Sequence, residues 1–122
     1  MADAALFVGW GTPVRGREAK ALEVFNEAVV FWGGLQEAGD IESFEPVLLM
    51  PHGGDLSGFA LIRGSQSQIA ALTEREDFQR LNTRSQMIVE RFGVVGAFLG
   101  EALGKQMGIY REAIDETAHA AA

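Results

Sequence analysis

The chain contains no cysteine. That excludes a disulfide framework, a thiolate nucleophile and any cysteine-ligated metal, and it fits the cytosol without excluding export. Positive charge is also scarce: 10 Lys and Arg stand against 17 Asp and Glu, for a net charge of −7. Nucleic acid is bound by neutralising phosphates with a basic face, so neither nucleic acid nor an anionic membrane surface is expected as a partner. No apolar run reaches the ~18 residues of a membrane span. The longest, Val94 to Leu103, is interrupted by Glu101. The N-terminal run Ala4 to Trp10 follows Asp3 instead of a basic leader, so no signal peptide is expected and the chain reads as cytoplasmic. The chain has only 2 histidines, His52 and His119, far apart and without a carboxylate cluster nearby. No metal site and no cofactor are expected from them.

What is present is ordinary globular material. The 122 residues are 48% hydrophobic and 22% charged, which suits one domain of common size. A chain of this length buries roughly two-thirds of its unfolded surface, enough for a core without staples.

Ala5 to Trp10 is a short run, apolar on both faces and closed by Gly11-Thr12-Pro13, as in a central strand. Arg17 to Ala38 reads as a helix, with Leu22, Phe25, Val29 and Trp32 at helical spacing and Gly33-Gly34 as a place to kink or end. Ile41 to Met50 reads as a strand whose polar first half and Pro46 assign it to an edge. Pro51-His52-Gly53-Gly54-Asp55 is a turn cluster, and Gly58 to Arg63 is the antiparallel return strand. Ser65 or Ser67 can cap a short helix ending near Leu72. A second helical stretch from Glu76 carries Phe78, Leu81, Ile88 and Phe92 on one side, with Ser85 in the gap. Val94 to Leu99 is the fourth strand. A last helix, Glu101 to about Thr117, bears the stripe Leu103, Met107, Tyr110 and Ile114, followed by a tail expected to fray.

The order is β-α-β-β-α-β plus a C-terminal helix, the split βαβ arrangement of an α+β ferredoxin-like domain. Its four-stranded antiparallel sheet has the first and third strands in the centre. Both of these are apolar on both faces, since Phe7 and Val8, like Leu61 and Ile62, point to opposite sides. The helices cover one face. A second copy, sheet against sheet, is the simplest cover for the other, and the C-terminal stripe is the alternative.

With this order, the hairpin around Pro51 to Asp55 and the segment Glu76-Asp77-Phe78-Gln79-Arg80-Leu81, residues 4 to 99 resemble the dimeric α/β-barrel superfamily. The resemblance implies two ferredoxin-like protomers pairing their sheets. Members include haem-degrading monooxygenases, muconolactone-type isomerases and small stress-responsive proteins. No histidine lies on a core helix here, which argues against haem.

Candidate sites follow from residue chemistry. His52 stands three residues from Asp55, and a carboxylate beside an imidazole suits general acid–base work; a solvated turn histidine is the plainer reading. Gly9 to Pro13, followed by Arg15 and Arg17 at a helix start, is a candidate anion site or simply a tight turn. The fingerprint of a nucleotide loop is incomplete. Phe7, Trp10, Phe25, Phe31, Trp32, Phe59 and Phe92 either line an apolar pocket or fill the core. Arg63 is placed to pair with Glu45 or to orient a ligand. The catalytic candidates are therefore His52 and Asp55, and the ligand-binding candidates are Trp10, Arg15, Phe31, Phe59 and Arg63. Two functions are open: a protein that binds or transforms a small apolar or aromatic molecule, or a non-catalytic homo-oligomeric module.

Overall fold

The structure is a computed structural model that describes residues 2–121, with side chains to residue 118. The expected fraying of His119 to Ala122 falls outside those side chains. Four strands and four helices follow in the order β1 (Ala4–Trp10), α1 (Glu18–Ala38), β2 (Ser43–Leu48), β3 (Gly58–Gly64), α2 (Gln66–Glu74), α3 (Glu76–Gln86), β4 (Gly93–Phe98) and α4 (Gly100–Ala121). The sheet order is β2-β3-β1-β4 and every pair is antiparallel. β1 and β3 are central, and Pro46 lies opposite Ala60 on the edge strand β2, where a missing backbone donor is tolerated. Among the described residues no helix is long and apolar enough to cross a membrane.

Alternation along the strands sends Leu6, Val8, Ala60 and Ile62 to the helix side, all of them buried. The opposite face carries Phe7, which is paired in register with Leu61 and Val95 and stacked on Phe59 at 5.1 Å. Arg63 and Glu45 form an ion pair at 3.2 Å on that face. Among the described residues, no element packs over it as α1 and α2 pack over the first.

α1 faces the sheet with Ala21, Val24, Ala28, Trp32 and Leu35. The stripe expected from the sequence is thus rotated by about one residue: Leu22 is 63% exposed and only Trp32 of that set is fully buried. Small alanines let the helix approach the sheet, and the larger Leu22 is left on the flank. Gly33-Gly34 neither ends nor interrupts the helix. It stops at Gly39 (φ 81°), where the expected range to Ala38 ends, and there Gly39 N–H donates to Gln36 O and Asp40 N–H to Leu35 O, the paired bonds of a left-handed C-cap.

α2 opens on a reciprocal cap: Gln68 N–H donates to Ser65 Oγ at 3.1 Å and Ser65 N–H to Gln68 Oε1 at 2.8 Å. Gln68 Nε2 also donates to Gly39 O at 3.0 Å, tying the start of α2 to the end of α1. The second break is Arg75, whose extended backbone (φ −71°, ψ 129°) separates α2 from α3. Its guanidinium donates to Asp77 through Nε and Nη2 (3.0 and 2.9 Å) and to Asp40 through Nη1 (3.1 Å), and it sits over the Phe31 ring. α2 packs on β1 and β3, whereas α3 packs on α1 and α2. α3 ends at Gln86, earlier than the Ile88–Phe92 spacing predicts.

The hydrogen bonds from Arg75, helped by Phe78 N–H, hold the Asp77 carboxyl below its ordinary value. A depressed carboxyl contributes stability that is fully present above the unfolded-state value and is lost as pH falls through the folded one. The urea midpoint of the protein should therefore drop on acidification below the ordinary carboxylate range. Asp77→Asn should lower the midpoint at neutral pH and flatten that acid dependence. Denaturation curves of both proteins from pH 7 down to about pH 2, through and below the range in which ordinary carboxylates titrate, check this.

Candidate functional site

The divergence of α2 and α3 leaves space at the other end of the sheet. A cavity of about 330 Å³ lies between β1, α1, α3 and the segment that follows α3. Its buried walls are Val8, Ala21, Val24, Trp32, Leu81 and Ile88. Trp10, Phe25, Val89 and Phe92 add a half-buried, largely aromatic layer, with Trp10 edge-on to Phe25 at 5.7 Å. Glu18, Leu22 and Leu48 are exposed and form the rim through which the space meets solvent. The polar side chains on the lining are Glu18, Ser57, Asn82 and Ser85, together with the indole N–H groups. Two of these are already occupied. Glu18 Oε1 accepts from Gly16 N–H at 2.9 Å, and Ser85 Oγ donates to Leu81 O at 2.9 Å. The buried Trp32 Nε1 has no hydrogen-bond partner, alone among the buried side-chain nitrogen and oxygen atoms of the described residues. Both tryptophans of the chain line this one cavity.

The floor is closed by a short piece of backbone pairing that sequence periodicity did not show. Gly11 N–H donates to Glu90 O at 2.7 Å, Glu90 N–H to Thr12 O at 2.8 Å and Val14 N–H to Ile88 O at 2.8 Å. Ile88 and Phe92 thus reach the cavity from the turn segment between α3 and β4, where Ile88 N–H and Val89 N–H still donate to Ser85 O, so their helical spacing with Leu81 continues past the end of the helix. This pairing also answers the anion-site expectation at Gly9 to Pro13. The Gly11 and Val14 N–H groups point to carbonyls, and Arg15 is exposed outside the cavity.

The remaining sequence candidates are dispersed. Trp10 is in the cavity wall. Phe31 lies beneath Arg75, and Phe59 and Arg63 belong to the opposite sheet face. His52 is exposed: its Nδ1 accepts from Gly54 N–H at 3.1 Å, so Nε2 is the nitrogen that donates to Leu56 O at 2.8 Å. Asp55 faces Arg91 at 3.6 Å, and no His52–Asp55 pair forms. Both ring nitrogens of His52 serve the turn. Among the described residues, no group of three or more His, Asp or Glu is placed to hold a metal ion.

Gly11 is the tightest point of the floor. A Cβ there would stand 2.8 Å from Glu90 O and 2.9 Å from Asp55 O, both backbone atoms that cannot swing away. Gly11→Ala should separate the Gly11–Val14 and Ile88–Glu90 segments and destabilise the protein by about 1–3 kcal/mol, the usual cost of overpacking. Urea denaturation checks the loss, and amide exchange should rise at Val14 and Glu90 before it rises at Ile62.

No family model and no curated protein matches the chain. Solved structures do. The chain is similar to SnoaB, a cofactor-independent oxygenase from Streptomyces nogalater, at 16% identity, covering 80% of this chain and 94% of that one with a TM-score of 0.54. It is also similar to a dimeric protein of unknown function and ferredoxin-like fold from Bacteroides fragilis NCTC 9343, at 13% identity, covering 79% and 96% with a TM-score of 0.56. At such identities the likeness is one of fold, and together with the strand order it establishes this chain as an α+β protein of the ferredoxin-like fold.

Proposed function

We propose that the protein binds a small, neutral, largely apolar or aromatic molecule in the cavity between β1, α1 and α3, and that it does so as a homodimer. The carrying observation is the cavity itself: about 330 Å³, walled by aliphatic and aromatic side chains, with exposed Leu22 and Leu48 at its rim. That volume is at the lower end of ligand pockets, which span roughly 300–1,000 Å³. A charged ligand would lose hydration with little in the walls to replace it. The unpartnered Trp32 N–H favours a molecule that carries an oxygen acceptor, because a buried donor left unsatisfied costs about 1–3 kcal/mol. Trp10, foreseen as a ligand contact, has that role in this reading. Any chemistry the chain performs on the bound molecule falls to Glu18, Ser57, Asn82 or Ser85. The open apolar sheet face around Phe7, Phe59, Leu61 and Val95 supports the homodimer, as does the dimeric B. fragilis structure.

Calorimetric titration with 1-naphthol, a neutral aromatic with one oxygen, tests the reading. Saturable binding at one site per chain is expected. Ser85→Phe, which fills the cavity from a half-buried position on α3, should weaken binding by at least about tenfold, or 1.4 kcal/mol, while the far-ultraviolet circular dichroism is unchanged. No saturable heat, or equal binding by the folded variant, would refute it.

A further inference from the structure

α4 carries an apolar seam that, among the described residues, no other element of the protomer covers. Leu103, Met107, Tyr110 and Ile114 are 48%, 54%, 59% and 56% exposed. They recur at steps of four, three and four, which are the d and a positions of a heptad. The same frame puts the carboxylates Glu101, Glu112, Asp115 and Glu116 at b, f, b and c, away from the seam. The flanking e and g positions hold Gly104, Arg111, Gln106 and Ala113, so no acidic group lines it. Ile109, at c, lies off the seam.

This helix has little reason to stand alone. Isolated helices in water become more than marginal only beyond ~12–15 residues, and then in alanine-rich sequences. Gly104 and Gly108 each cost about 1 kcal/mol in such an interior. Both have open space where a side chain would be.

We propose that α4 pairs antiparallel with α4 of a second copy, about a two-fold axis between Met107 and Tyr110. In that register Leu103 packs on the partner's Ile114 and Met107 on the partner's Tyr110, and each contact occurs twice, as an isologous interface requires. Arg111 lies across the partner's Gly104, long side chain against none, and no two carboxylates meet at the seam. Four half-exposed side chains supply on the order of 300–400 Å² per copy, short of the ~800 Å² per partner of a standard stable interface. The helix pair is therefore one part of a dimer whose larger part is the open sheet face, and the proposal rests on that homodimer. α4 follows β4 directly and packs against it, and β4 presents exposed Val95 beside Phe7 on the open sheet face.

The absence of native cysteine permits a clean test. In Leu103→Cys/Ile114→Cys the two positions are about 16 Å apart along one helix, too far for an internal disulfide. Mild oxidation should give a reducible covalent dimer on non-reducing electrophoresis. The control Lys105→Cys/Glu112→Cys, both at f positions, should give none. Light scattering of both reduced variants should report a dimer. A dimer by scattering without cross-linking at Leu103→Cys/Ile114→Cys, or equal cross-linking of the control, overturns the α4 pairing and leaves the homodimer standing. A monomer by scattering overturns both.

Discussion

The helix layer of this protein is organised by the break at Arg75. One guanidinium bonds two carboxylates from different parts of the chain, Asp40 after α1 and Asp77 at the start of α3, and covers Phe31. Arg75 and its partners are partly exposed, so each ion pair contributes little stability by itself. Their value is geometric. They fix the corner at which α2, lying on β1 and β3, gives way to α3, lying on α1. The cap bond from Gln68 to Gly39 holds the same corner from the other side. Beyond that corner α1 and α3 face the far end of the sheet across a space, which Trp10, Phe25, Val89 and Phe92 surround instead of filling.

Sheet and cavity depend on different kinds of contact. At the Arg75 end, Leu35, Ile41, Ile62, Ile69, Leu72 and Phe78 are all buried and close the core. At the cavity end, closure is mostly backbone: the Gly11–Val14 segment pairs with Ile88–Glu90, and Ser57 N–H donates to Trp10 O. Hydrogen-bonded backbone at the floor keeps the walls in place without side chains in the middle. A space preserved in this way beside a well-packed core suits binding better than accident, since interiors otherwise pack to crystal-like density.

Much of the architecture was legible in the sequence, and the reasons are local. Two-sided apolar strands at Ala5–Trp10 and Gly58–Arg63 marked the centre of the sheet, and Pro46 marked an edge. The buried stripe of α1 was misjudged because hydrophobicity weights Leu22 and Phe25 above Ala21 and Ala28, whereas close approach to a sheet selects the small residues. α3 was drawn too long because Ile88 keeps helical spacing while belonging to a non-local pairing with Val14. The site was legible only in part. Trp10 stands in the cavity wall because it shares parity with Val8 on the helix side. Phe59 and Arg63 share the opposite parity to Ile62, but which face meets the helices is not written in alternation. His52 and Asp55 are close in sequence, yet each has a nearer partner in space, the turn backbone and Arg91.

The central claim is that α3, turned off the sheet at Arg75, leaves a space that a small aromatic molecule enters. Fluorine NMR of protein labelled with 5-fluorotryptophan tests it directly, because the only two tryptophans, Trp10 and Trp32, both stand in the cavity wall. On titration with 1-naphthol, both resonances should shift together and saturate at the same ligand concentration. Two resonances that stay fixed while ligand accumulates would contradict the account.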